Sequence, residues 1–182
     1  LRVVVIDSEG GSFSSGGDLV EVGKSGHGSK YLGTLATQFH AVLESLRALD
    51  AVIITVIRGG AVGGGFALAM AGDIRLGTSE AKFRIGYGRA GLTVDGGLSW
   101  ILPRLVGMAQ AQRILIEDPD IDADEAVALG ILHEVLPAED IPKRCEAILT
   151  STEKQGRMAL ARSRSLVYGS AGRALPESLV AE

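Results

Sequence analysis

The residues best placed to do chemistry in this sequence are, first, backbone. Gly59-Gly60-Ala61-Val62-Gly63-Gly64-Gly65 runs into Phe66-Ala67-Leu68-Ala69-Met70-Ala71, and Gly86 to Gly97 runs into Leu98-Ser99-Trp100-Ile101-Leu102. Each glycine segment precedes a helical pattern, so unpaired N–H groups at a helix start are available to an anion. A phosphate cradle is disfavoured. Gly60 to Gly65 lacks the Lys-Ser or Lys-Thr of a P-loop, and Gly60, Val62 and Gly65 miss the spacing of a dinucleotide fingerprint. The other use is an oxyanion hole, in which two N–H groups meet a carbonyl oxygen as it gains charge; losing one such donor costs ~3 to 4 kcal/mol. On spacing alone, tight packing of strand against helix explains the glycines equally well. Asp95 arrives at the end of the second loop, either as an acid/base or as the cap of the following helix. His40 lies on a helical stripe between Ala36 and Leu43, the setting of a packed or rim histidine. His27 and His133 lack ligand companions at short spacing, so no metal is expected. Cys145 reads as a buried small hydrophobe.

These residues need a frame. Leu1 to Asp7 and Ala51 to Ile57 are β-branched runs that predict buried strands. Ser8 to Gly28 reads as a long functional loop or lid. From Ser29 to Leu49, Leu32, Leu35, Ala36, Phe39, Leu43 and Leu46 recur at three and four residues, the pattern of a core-facing helix. Asp73 to Thr78 and Ala81 to Ile85 predict short strands around a Ser79-Glu80 turn. Pro103 is expected to kink or restart the helix that begins at Leu98. Met108 to Ile116 is a further helix, and Asp122 to Glu125 is a capping box opening Ala126 to Leu129, with Gly130 as its stop. Ile131 to Leu136 reads as a strand. The remainder is helical, broken at Gly156 and near Gly169 to Gly172. Trp100 is expected as a core or interface anchor.

Composition narrows the class. The chain has 182 residues, 46% of them hydrophobic, a formal net charge of −4, one cysteine, and 25 glycines against 5 prolines. One domain of the α/β or mixed class fits this length. A lone cysteine excludes a disulfide scaffold, and a pI of about 5.4 without a basic block argues against nucleic acid. No apolar run reaches membrane-spanning length and no signal sequence is visible, so the expectation is a cytoplasmic protein without a membrane partner.

Four segments carry a family pattern. Phe13-Ser14-Ser15-Gly16-Gly17-Asp18-Leu19 fits F-x-x-G-A/G-D-L/I. Gly59 to Asp73 fits a glycine-rich stretch ending in L-A-x-x-x-D. Gly91 to Gly107 resembles G-L-x-P-D-x-G-x-x-W-x-L-P-R-x-x-G, and Asp124 to Pro137 resembles A-x-E-A-x-x-x-G-L-V-x-x-V-x-P. Each is weak alone. In order, from Leu1 to about Asp140, they resemble the crotonase superfamily, the enoyl-CoA hydratase/isomerase group.

The resemblance implies an α/β fold made of a spiral of ββα units with a helical C-terminal region. Residues 1–137 would form an acyl-CoA-binding core and 138–182 a helical oligomerisation region, assembling homotrimers or hexamers. The substrate would be an acyl-CoA thioester, whose coenzyme A is part of the substrate, so no separate cofactor is implied. The Gly17 and Gly64 amides would form the oxyanion hole. Asp18, Leu19 and Val20 would lie along the coenzyme A path, and Tyr87 would line the acyl pocket or sit at the surface. Where the family's hydratases carry two glutamates, this chain has Ala67 and Tyr87. Asp95 then stands as the single acid/base, the arrangement of the family's isomerases. A second resemblance, to 4-chlorobenzoyl-CoA dehalogenases, would make Asp95 a nucleophile and His40 the residue that activates water. A third option is a non-catalytic acyl-CoA-binding subunit. Relatives also carry a hairpin and strand before the position of Leu1 and a longer tail after Asp140, so further chain is expected at both ends.

Overall fold

The chain deals its strands alternately into two all-parallel sheets. The computed structural model describes every residue except Ser25, His27 and Glu182. Strands β1 (Val3–Ile6), β3 (Val52–Ile57), β5 (Ile74–Gly77) and β7 (Glu134–Val135) form one sheet in the order β1-β3-β5-β7. Strands β2 (Ser12–Ser14), β4 (Gly60–Val62) and β6 (Lys82–Arg84) form the other, in the order β2-β4-β6. Each pass contributes one strand to each sheet and then crosses back: β1-β2 is followed by α1 (Leu19–Lys24) and α2 (Gly28–Ala48), and β3-β4 by α3 (Gly64–Ala69). After β5-β6 come a 3-10 turn (Gly88–Ala90) and α4 (Leu98–Val106). This is the expected spiral of ββα units. Parallel strands require such crossovers, because a hairpin cannot join them.

Burial follows the sequence. Every residue of β3 is buried, as befits a central parallel strand with both faces covered. One face carries Ile57, Phe66, Phe83, Leu98, Leu102 and their neighbours. The other face, with Val52, Ile54, Val56 and Leu76, is covered by Ile141 and Ile148 of α7 (Ile141–Glu153). Each such aliphatic contributes ~1.5 to 3 kcal/mol when buried. Helices α5 (Met108–Glu117) and α6 (Ala123–Ala128) close the first face, and Asp122 caps α6 by accepting the Glu125 N–H at 2.9 Å, as the capping box predicts. Helices α8 (Arg157–Ser170) and α9 (Leu175–Ala181) complete the chain, separated from α7 and from each other near Gly156 and Gly172.

Several expectations need correction. The segment Ser8 to Gly28 is not a plain loop, since it contains β2 and α1. Strand β1 is half-buried rather than buried, with Val5 46% exposed; among the described residues it pairs with β3 on one side only. Strands β5 and β6 flank the Ser79-Glu80 turn but enter different sheets. Ile131 to Leu136 yields only the two-residue β7. Pro103 is carried inside α4, which runs on to Val106. Helix α2 has the predicted stripe, yet none of its residues is fully buried. Its apolar side borders cavities, described below.

A remote contact anchors that helix. The Arg164 guanidinium pairs with Asp73 at 2.7 Å and donates to the carbonyls of Leu46, Arg47 and Leu49 at the C-terminal end of α2, where helix carbonyls run out of intrahelical donors. Asp73 in turn accepts the Ile53 N–H of β3 at 2.8 Å. Helix α2, and therefore His40, is tied to the central sheet through α8. Among the described residues no helix is long and apolar enough to cross a membrane.

Candidate active site

The first wall of the site is backbone. Gly16 turns the loop after β2 with φ +82°, and a Cβ there would lie 2.8 Å from the Gly64 nitrogen and 3.0 Å from the Val62 carbonyl oxygen. At Gly65 a Cβ would stand 2.1 Å from the Ser14 carbonyl oxygen. Glycine at these two positions lets the first loop lie directly on the start of α3. Gly64 opens α3, so its N–H has no acceptor within the helix. The Gly17 nitrogen lies 3.9 Å from the point a Gly64 Cβ would occupy, which brings the two amides together. The residues that must be glycine are therefore the neighbours of the two amides singled out from sequence; at Gly17 and Gly64 themselves a Cβ would meet only ordinary contacts of 3.4 to 3.5 Å.

These amides border a cavity of about 340 Å³ lined also by Leu35, Phe39, Leu68, Tyr87 and Asp95. This volume is in the range of small-molecule sites. Asp95 does not cap α4: the N-cap is Gly97, without a side-chain hydrogen bond. Its Oδ1 instead accepts the Gly96 N–H at 2.7 Å and faces His40 Nε2 at 2.5 Å. Gly96 makes this possible, with φ +60° and no room for a Cβ, which would fall 2.4 Å from Ala67 Cβ. His40, read from sequence as a packed or rim residue, is thus joined to the carboxylate. Tyr87 borders the same cavity, and burial, reinforced by the negative charge of Asp95, pushes its phenol up to about 12. It is a neutral hydroxyl at physiological pH.

The residues expected along the coenzyme A path divide. Leu19 lines the cavity. Asp18 caps α1, its Oδ1 accepting the N–H groups of Val20 (2.9 Å) and Glu21 (3.1 Å), and Val20 is 64% exposed on the outer side. His133 lies apart, its Nδ1 accepting the Arg75 N–H at 3.0 Å. Cys145 is half-buried against the second core cluster, and burial raises its thiol pKa. His27 lies outside the described residues.

Behind the His40–Asp95 pair is a second cavity of about 530 Å³, which sequence reading missed. His40, Ala67 and Gly96 form its near wall; Arg47, Trp100 and Tyr168 form the far one. Trp100 is 39% exposed at this cavity and is not a core residue. A signal for its α2 side existed: His40 and Arg47 flank Leu43 on the inward stripe of α2, where polar residues are out of place. Tyr168 is more than 120 residues away from them in the sequence and carried no signal.

Comparison with known proteins gives this geometry a family. Residues 1–182 match the description enoyl-CoA hydratase/isomerase. The chain belongs to the enoyl-CoA hydratase/isomerase family. It is 36% identical over 154 residues to EchA12 of Mycobacterium tuberculosis, described as a probable enoyl-CoA hydratase; the match covers 81% of this chain and 54% of that protein. It is 32% identical over 146 residues to 4-chlorobenzoyl coenzyme A dehalogenase-1 of Arthrobacter sp., covering 79% of this chain and 53% of that protein. A protein of Thermobifida fusca YX, solved in complex with acetoacetyl-CoA, superimposes with a TM-score of 0.87 at 27% identity, covering all of this chain and 74% of that one. The chain spans about half the length of the curated relatives it matches. The fold is the crotonase fold of this family, and the two-amide cavity with Asp95 is its candidate site.

Proposed function

We propose that this family member acts on an acyl-CoA thioester by proton transfer through Asp95. The observation that carries the reading is that the Asp95 carboxylate and the Gly17 and Gly64 amides border one apolar cavity. The thioester carbonyl oxygen would accept the two N–H groups. Removal of an adjacent carbon-bound proton puts negative charge on that oxygen, and fixed amide dipoles stabilise this charge more than they stabilise the neutral carbonyl. Asp95 would take the proton and return it at another carbon, as an isomerase does. The Nε2–H of His40 and the Gly96 N–H hold Oδ1, leaving the other oxygen to work. Hydration needs a second group to activate water, and the positions at which the family's hydratases carry glutamates are Ala67 and Tyr87 here. The hydratase names of relatives are therefore carried over only as far as acyl-CoA chemistry. Assembly into homotrimers or hexamers through residues 138–182 belongs to the same proposal.

One observation favours a second reading. The 2.5 Å contact between His40 and Asp95 pairs the two residues that a dehalogenase-like reaction would use, and an Arthrobacter dehalogenase is among the relatives. There an Asp95 oxygen attacks the chlorine-bearing ring carbon and chloride leaves. Water deprotonated by His40 then attacks the aspartyl carbonyl and releases the hydroxylated ring. Incubation of the protein in deuterated water with a panel of acyl-CoAs, and separately with 4-chlorobenzoyl-CoA, decides between them. Deuterium uptake without halide release is the expected result. Chloride release establishes the second reading, and acyl-CoA binding with neither reaction overturns both in favour of a binding subunit.

A further inference from the structure

Arg47 is unlike the other cations of the interior. Arg75, buried on β5, donates to the carbonyls of Ile131, Gly72 and Gly130. Arg164 holds Asp73 and three helix-end carbonyls. Among the described residues the Arg47 guanidinium has neither kind of partner. Its centre lies 3.8 Å from the Tyr168 ring centroid and 5.8 Å from that of Trp100, and its Nη1 is buried without a hydrogen bond. Aromatic faces offset part of the desolvation of a guanidinium but do not use its N–H groups. A buried donor left unpaired is destabilising unless something else fills the place.

The position of this cation suggests what does. Asp95 lines the first cavity and its hydrogen-bond partner His40 lines the second, so the two cavities adjoin at this pair. Ala67 also faces the second cavity, and a longer side chain there would occupy it. For a thioester held at the Gly17 and Gly64 amides with its reacting carbons at Asp95, the space beyond the His40–Asp95 pair is this second cavity. Glu44 shares the cavity, but its side chain is exposed and makes no ion pair with Arg47 among the described residues. Tyr168 adds a hydroxyl to the same far wall.

We infer that the second cavity receives the distal end of the acyl group and that Arg47 selects a carboxylate there, making the preferred substrates CoA thioesters of dicarboxylic acids. A planar guanidinium stacked on the Tyr168 ring is pre-organised for bidentate pairing with a carboxylate. A methyl end would bury apolar surface but leave the Arg47 N–H groups unsatisfied. The inference rests on the proposed acyl-CoA chemistry at Asp95.

Two matched series of trans-2-enoyl-CoAs, five to eight carbons long and ending in carboxylate or in methyl, test it by calorimetric binding and by deuterium exchange. At least one carboxylate-ended member should bind about tenfold or more tightly than its methyl-ended partner, the range expected of a charge-assisted hydrogen bond. In Arg47→Gln that ratio should fall to about twofold or less, and in Arg47→Lys it should fall less far, because the charge stays while the fork is lost. Equal binding of both series by the wild-type protein, or a ratio unchanged in the two variants, overturns the inference while exchange at Asp95 stands. Failure of every acyl-CoA in either series to bind overturns it together with the proposed function. The wild-type ratio and Arg47→Lys decide the matter if Arg47→Gln does not fold.

Discussion

The cavity in front of Asp95 and the cavity behind it meet at one side-chain pair, yet they are made of different material. The donor wall of the front is backbone from the loops after β2 and β4, brought together by Gly16 and Gly65 over a few ångströms, with apolar side chains such as Leu35, Phe39 and Leu68 around it. The back is side chains from α2, α4 and α8, held by contacts between residues more than a hundred positions apart. Backbone amides present the same two donors whatever the acyl group, so the front suits a feature common to every thioester. Side chains vary freely, so the back suits discrimination. The comparison thus separates reaction from selection, and it can be broken at either end.

The largest effect is expected at the working carboxylate. Asp95→Asn keeps the shape and the Gly96 contact but removes the base, and should lower the rate of α-proton exchange by ~10³ to 10⁴-fold. Acyl-CoA affinity, read by calorimetry, should change little beside that. Exchange surviving within tenfold would place the base elsewhere. Next comes a stability contrast between the two kinds of cation. Arg75→Leu strands three carbonyls and should cost ~3 to 5 kcal/mol in denaturant unfolding. Arg47→Leu removes a guanidinium that has no polar partner among the described residues and should stay within ~1 kcal/mol of wild type. Equal losses would mean that Arg47 is structural, like Arg75. Between these in catalytic terms, Gly16→Ala drives a Cβ into the Gly64 amide at a left-handed backbone position. It should cost ~10² to 10³ in turnover, the size of one lost oxyanion donor, with a smaller change in substrate affinity.

The same division explains what could be read from the sequence. The strands, the interleaved helices and the Asp122 capping box follow from periodicity and local chemistry, because they are decided within a few residues. The front cavity was legible too, since its glycines and Asp95 sit in short contiguous motifs. Three-residue strands such as β2 and β4 were hidden in those same glycine segments, as their pairing partners lie 22 to 48 residues away. The partnership of His40 with Asp95, 55 residues apart, depends on where α2 docks. Tyr168 reaches the back cavity only because Arg164, one turn before it on α8, is fixed to Asp73. Local pattern cannot register such a placement.

The smallest expected effect tests how closed the front cavity is. Tyr87 is neutral when protonated, and burial together with the charge of Asp95 raises its pKa from the usual 10 to about 12 in the folded protein. The folded state therefore holds this proton more tightly than the unfolded chain does. The stability linked to it is fully present below pH 10 and is lost as pH climbs from 10 to 12. Unfolding of the wild type and Tyr87→Phe should run parallel from pH 6 to 9. Above pH 10 the wild type should lose ground to the variant, by at most about 2 kcal/mol. The phenolate absorbance should show one tyrosine fewer titrating near pH 12 in the variant. Parallel curves up to pH 12 would mean that water reaches the Tyr87 hydroxyl freely. An open front cavity of that kind would weaken every interaction that the two amides and Asp95 make, because their strength depends on excluding solvent.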